Sequence, residues 1–287
     1  MICGLLSWYQ EKPGWLAATV ASMQPFCDHI VAVDGAYFLY PGGRAHSGTD
    51  QAEAIRETAR SLNMGCTIHE PQKRWAGNET EKRSTMFRLG ECATTSEDWY
   101  FVIDGDEVVT DTGGDLRARV AEARRDVGEV TLWKHRDLYH PSERPFVTPL
   151  VESQTIRVMF RAIRGLSVVG NHYTYVTPDG RFLWGKENLE PAEDFTTVRL
   201  EHRNGQRDLW RAKESRDYYA TRDDLNIEGL EMQTTEQREA YIKGLVVERE
   251  GYVRTGTPEQ VACVDAELAR VRGEAKAPAG RAERRSR

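Results

Sequence analysis

The chain has 287 residues, 39% of them hydrophobic and 29% charged, and carries a formal net charge of -6 at pH 7. That length can bury a sizeable core, and the acidic balance excludes a general nucleic-acid binder. Five scattered cysteines (Cys3, Cys27, Cys66, Cys92 and Cys263) form no CxxC pair, which excludes the usual zinc patterns and predicts reduced thiols in a cytoplasmic protein.

"ICGLLSWY" predicts a first strand. The N-terminal stretch has neither a basic start nor a long apolar run, so no signal peptide is expected, and no segment reaches the length of a membrane-spanning helix. "PGWLAATVASMQPF" predicts a helix with Pro13 near its start, Leu16, Val20 and Met23 on one face, and Pro25 at its end. "HIVAVDG" is a continuous apolar strand of the kind buried in parallel sheets, closed by Asp34 and Gly35. "GTDQAEAIRETARSLNM" predicts a helix capped by Thr49 or Asp50, and "CTIHE" a short strand. Asn78 with Glu81 predicts a capping box for a helix through Lys82, Arg83, Met86 and Leu89. "WYFVID" is a fourth strand.

Strand and helix alternate through this first part, which predicts crossover units and a mostly parallel α/β sheet. Beyond a polar helix in "DTGGDLRARVAEARR", the stretches "EVTLWKHRDLY", "TIRVMFRAI", "LSVVG" and "HYTYVT" predict a mixed or antiparallel portion that completes the sheet. From Arg207 the pattern is helical, and after Gly273 it becomes a basic Ala/Gly/Arg/Glu tail without apolar residues to bury. The expected organisation is a domain over 1–205, a helical region over 206–272 and a disordered tail over 273–287.

The densest chemistry lies in "WYFVIDGDEVV", where an apolar strand ends on Asp104, Asp106 and Glu107. Acids at a strand end can simply be solvated. They can also hold a hard cation such as Mg²⁺ or Mn²⁺, which takes one or two protein carboxylates and fills its shell with phosphate oxygens and water. Ligands of open α/β sheets bind outside the carboxyl ends of the strands, where Asp34 and Asp104 both fall.

These pieces resemble the glycosyltransferases of the GT-A fold, especially the large inverting group called family 2. The likeness runs through "ICGLLSWYQEKPGWLAATVASM", "DHIVAVDGAY", "NETEKRSTMFRLG", "DWYFVIDGDEVV" and "TIRVMFRAIRGLSVVGNHY", about the first two hundred residues. It implies a Rossmann-like GT-A sheet with flanking helices and a C-terminal helical extension. It also implies a nucleotide-sugar donor, most commonly a UDP-sugar, a protein or glycan acceptor, Mn²⁺ or Mg²⁺ as cofactor, and inversion at the transferred carbon. By the same resemblance Asp34 contacts base or ribose, Asp104 lies between metal and sugar, and Asp106 binds the metal with His202 completing its shell. Two departures stand out: the longer aromatic loop "DGAYFLYPGGRAHSG", and Tyr173 following His172 where members often carry an acid.

Each candidate has a plainer alternative. Asp34 is also a turn acid. Lys82 and Arg83 can neutralise a diphosphate or be solvated helix charges. Tyr40, with Tyr37, can frame a nucleobase or pack on its own domain. An inverting transfer needs a group to take the acceptor proton, for which His172 and Asp194 are the candidates. The rival functions are a phosphohydrolase of the haloacid-dehalogenase type, with Asp104 as nucleophile, and an inactive sugar- or nucleotide-binding module. A nucleotidyltransferase lacks support, because no Gly-rich basic loop opens the chain.

Overall fold

The structure is a computed structural model that describes residues 1–37, 40, 44–75, 79–135, 150–169, 174–184 and 190–203, together with Asp265. The chain divides into two units, Met1–Arg216 and Asp217–Arg287, and every element named below belongs to the first. Apart from Asp265, the predicted helices after Arg207 and the basic tail lie outside the described residues.

β1 (Ile2–Ser7) is buried at every position, as an uninterrupted apolar run requires. α1 (Pro13–Met23) begins on Pro13, whose fixed φ suits the first helical turn, and buries Leu16, Thr19, Val20 and Met23 along one face. β2 (His29–Val33), α2 (Thr49–Ser61), β3 (Gly65–His69), α3 (Thr80–Gly90) and β4 (Trp99–Asp104) continue the predicted alternation. Two predicted caps differ. α2 is capped by Gly48, so Thr49 and Asp50 sit inside the first turn, where the Asp50 charge suits the helix dipole. α3 is capped by Glu79 in the left-handed conformation without a side-chain cap bond, and Asn78 lies outside the described residues.

Beyond β4 come β5 (Glu107–Asp111), α4 (Leu116–Glu122), β6 (Val127–His135), β7 (Leu150–Arg161), β8 (Ser167–Val168), β9 (Tyr175–Val176), β10 (Phe182–Trp184) and β11 (Glu193–His202). Eight strands form one sheet in the order β3-β2-β1-β4-β7-β6-β11-β5, and β10-β9-β8 form a second, small sheet. The first four strands of the large sheet pair in parallel. β7 runs antiparallel to both β4 and β6, β6 runs parallel to β11, and β11 runs antiparallel to β5. The result is the expected mixed, Rossmann-like α/β sheet with helices packed on it, except that β8 and β9, expected to complete it, pair with β10 instead.

β4 lies against β1 and β7 in the middle of the core, and its Trp99, Tyr100, Phe101, Val102 and Ile103 are all at most 3% exposed. Burying each such side chain stabilises the fold by about 1.5–3 kcal/mol, so the strand that carries the acidic motif is anchored rigidly. β4 and β5 are consecutive in the chain, separated only by Gly105 and Asp106. In the sheet, however, β7, β6 and β11 lie between them. The sheet therefore curls, and the Gly105–Asp106 turn spans the gap between its two arms. Among the described residues no helix is long and apolar enough to cross a membrane.

Candidate functional site

The carboxyl ends of β1, β2 and β4 are level: Ser7 is in register with Val33 on one side and Asp104 on the other. Past this line the Gly105 N–H donates to the Ser7 carbonyl at 2.8 Å. A Cβ on Gly105 would lie 2.9 Å from both Leu16 Cδ2 and Trp8 Cβ, so the turn packs directly on β1 and α1 only because residue 105 lacks a side chain. Thr19 of α1 secures the turn from below, its hydroxyl donating to the Glu107 carbonyl at 2.6 Å.

The acids then diverge. Asp104 turns to α3, where one nitrogen of the Arg83 guanidinium donates to both carboxylate oxygens at 2.8 Å. Asp106 turns to the far arm of the sheet, with Oδ2 at 3.1 Å from His202 Nε2. The pairing has a cause in the register: His202 faces Glu107 across β11 and β5, and the Arg203 N–H donates to the Asp106 carbonyl at 2.7 Å. Glu107 accepts the Asp104 N–H at 3.0 Å. Burial, aided by the Asp104 and Asp106 charges and opposed by His202, pushes the Glu107 carboxyl up to about 7. Burial tends to lower the Arg83 guanidinium, but the Asp104 carboxylate outweighs it and holds the group above its ordinary range.

The structure thus brings Arg83, Asp104, Asp106 and His202 together. Three other expectations are corrected. Lys82 is no surface charge: it is 1% exposed, and its ammonium donates to the carbonyls of Trp8 at 2.6 Å and Gly35 at 3.1 Å. Burial pushes it down to about 8 against the pull of Asp34 and Asp104, so it ties the ends of β1 and β2 rather than meeting a phosphate. The Asp34 carboxylate is 1% exposed and accepts the Gly35 N–H, the Ser47 N–H and the Ser47 hydroxyl, at 2.6, 2.6 and 2.7 Å. Burial raises its pKa, partly offset by Lys82 and Ser47. It builds the wall of the crevice and offers little to a ribose. Asp194 sits at the opposite end of β11 from His202, roughly 25 Å away for eight residues of strand. There it is exposed and bonded to Thr196, so it is removed from any transfer at Asp106.

Tyr40 is 5% exposed with its ring edge-on to Tyr9 at 5.3 Å, and Tyr37 lies under the Lys82 ammonium at 5.5 Å, so these two rings pack on their own domain. His172 lies outside the described residues. The four described cysteines are free, and burial pushes the Cys3 thiol up to about 12, which removes it as a nucleophile.

A cleft opens beside Asp104, between the ends of β4, β6 and β7 and the small sheet. It encloses about 360 Å³ when its open mouth is counted. Its floor is apolar (Val102, Leu132, Ile156, Val158) and its rim polar (Arg83, Asp104, Glu107, Gln154). Tyr175 and Trp184 form one wall, stacked at 5.9 Å with ring planes 5° apart.

The sequence singles out His202 but gives no clear sign of its neighbour Arg203 as a site residue, of Glu107 as a buried titratable group, or of the cleft wall from Tyr175 and Trp184. The signal for Arg203 was slight: a basic residue beside a candidate ligand.

As for metal, Asp106 and His202 set an oxygen and a nitrogen donor side by side, a pair that could hold a divalent cation. Phosphate oxygens and water would complete such a shell. Both oxygens of Asp104 are held by Arg83, so Asp104 is the weaker ligand. Asp34, His46 and Glu70 also bring ligand atoms within 4.8 Å of one another, but there Asp34 already accepts three hydrogen bonds.

No protein-family model matches the chain, and no curated protein matches it. Among solved structures, the chain is similar to one described as a glucose-1-phosphate thymidylyltransferase from Bacillus anthracis in complex with sucrose. The match has 12% identity over 93% of this chain and 95% of that one, with a TM-score of 0.30. A TM-score that low carries no argument about fold or function.

Proposed function

We propose that the protein is a metal-dependent glycosyltransferase that moves a sugar from a nucleoside-diphosphate donor, a UDP-sugar by resemblance, to a protein or glycan acceptor. One observation carries the reading: the turn that sets Asp106 at 3.1 Å from His202 also presents Asp104 to a cleft with an aromatic wall and a polar rim. Sugars offer hydroxyls to such a rim and apolar ring faces to such a wall. Asp106 and His202 would hold Mn²⁺ or Mg²⁺, which when bound offsets charge on the departing diphosphate.

In the reaction the acceptor hydroxyl attacks the anomeric carbon and the bond from that carbon to the phosphate oxygen breaks. The electron pair leaves with the nucleoside diphosphate, and the acceptor proton passes to a base. Arg83 fixes the Asp104 carboxylate at the rim, where it can accept a sugar hydroxyl in one orientation. Orientation of this kind lowers the barrier without new chemistry. The same contact disfavours the phosphohydrolase reading, because a carboxylate whose charge is shared with a guanidinium is a weaker nucleophile.

The test separates the two aspartates. Calorimetric titration of Mn²⁺ in the presence of UDP should give binding to the wild type and to Asp104→Asn, and none to Asp106→Ala. Release of UDP from UDP-glucose should fail in both variants. Full Mn²⁺-dependent turnover in Asp106→Ala would sink the reading. The anomeric configuration of the product, read by proton NMR, decides the inversion that the family resemblance implies.

A further inference from the structure

We propose that Arg203 is the anion-binding residue of this site and that it takes the diphosphate. That the anion is a sugar nucleotide's diphosphate rests on the function proposed above; the anion site itself does not.

Both basic residues expected to meet phosphate are committed inside the protein, Lys82 to two carbonyls and Arg83 to Asp104. Arg203, directly after β11, is a further cation held against the Asp106 turn. It is 9% exposed, and its N–H holds the Asp106 carbonyl at 2.7 Å. Its guanidinium, by contrast, is poorly satisfied. Nη2 reaches the Thr19 hydroxyl and the Glu107 carbonyl only at 3.4 Å, and Nε has no hydrogen-bond partner. The guanidinium carbon sits over the Trp15 ring, 5.6 Å from its centroid, a cation–π contact. Asp106, Glu201 and Glu11 surround it at longer range, and no ion pair forms with any of them among the described residues.

A guanidinium stays charged and presents a planar fork of donors that matches two phosphate oxygens. Leaving such donors unmet in a buried site is costly, so a guanidinium lodged against Trp15 with an unmet Nε–H and only long Nη2 contacts is arranged for an oxyanion. Its place in the chain adds to this. Arg203 follows His202 directly, so one strand end would supply both a metal ligand and a phosphate donor. A purely structural role, tying α1 to β5, is the competing account.

The probes are inorganic pyrophosphate and UDP, each titrated calorimetrically with and without Mn²⁺ into the full chain. Wild type is compared with Arg203→Gln, Arg203→Met and the exposed control Arg199→Gln. Wild type and the control should bind pyrophosphate alike, and both Arg203 variants should bind about tenfold or more weakly. A folded Arg203 variant that binds as wild type does, or a wild type that binds no pyrophosphate, overturns the proposal. If neither variant folds, the side-chain ¹⁵N spectrum of the wild type decides: the Arg203 Nε–H resonance must move on adding pyrophosphate, and a static resonance overturns the idea. The two readings fail separately. Arg203-dependent pyrophosphate binding without any cleavage of UDP-sugars leaves the anion site and removes the glycosyltransferase. Normal cleavage with indifferent Arg203 variants does the reverse.

Discussion

Glu107 shows how a single buried carboxyl sets a pH response. Its folded pKa is about 7 against an ordinary 4.5, raised first by burial and then by Asp104 and Asp106. The folded protein therefore binds this proton more tightly than the unfolded chain. Stability should fall as pH rises between 4.5 and 7, and the penalty is fully present above 7. Glu107→Gln keeps an oxygen to accept the Asp104 N–H and removes the charge. It should raise the melting temperature of the metal-free protein at pH 8, by an effect on the order of 1–3 kcal/mol, and leave it near wild type at pH 4. Parallel melting curves for the two proteins across that range would disprove the account. None of this was legible in the sequence, where Glu107 reads as a third surface acid. Its burial follows from Thr19, His202 and the curled sheet, all distant in the chain.

At the scale of elements, the local pattern carried what local physics determines. The β1–α1–β2–α2–β3–α3–β4 order, the Pro13 start of α1 and its buried Leu16, Val20 and Met23 are all readable from apolar periodicity and turn residues. Two classes of feature were not. Helix caps depend on the backbone of one residue, and Gly48 and Glu79 took the places expected of Thr49 or Asp50 and of Asn78. Strand neighbours depend on long-range pairing, so the insertion of β7, β6 and β11 between β4 and β5 leaves no local trace. Lys82 fell between the two, since a lysine on a helix reads as solvated until the helix is known to lie on β1 and β2. The turn itself offers a test. Gly105→Ala puts a methyl group 2.9 Å from Leu16 and Trp8, and crowding of that kind costs about 1–3 kcal/mol. Urea unfolding should show a lower midpoint, with Mn²⁺-dependent binding weakened as the turn lifts from β1. An unchanged midpoint would mean that α1 yields freely.

For the whole molecule, the curl makes one site out of two sheet arms. Asp104 belongs to the β4 arm, and His202 and Arg203 to the β11 arm. A ligand held by both should tighten the β11–β5 edge more than the remote edge at β3. Hydrogen exchange with Mn²⁺ and UDP should therefore slow at residues 107–109 and 200–203 and stay unchanged over 65–69, since binding favours the closed form of the elements it bridges. Protection confined to 65–69 would place the nucleotide elsewhere. The curl also bears on how the protein comes into being. Arg203 meets Thr19 across 184 residues of chain, and contacts of such separation form slowly and late. A ribosome that has delivered β1 to β4 has supplied Arg83, Val102, Ile103 and Asp104 but not Tyr175 and Trp184 of the opposite wall. On refolding, the helical signal should return ahead of pyrophosphate binding, which makes ligand capture a stricter measure of a finished molecule than any spectroscopic count of its helices.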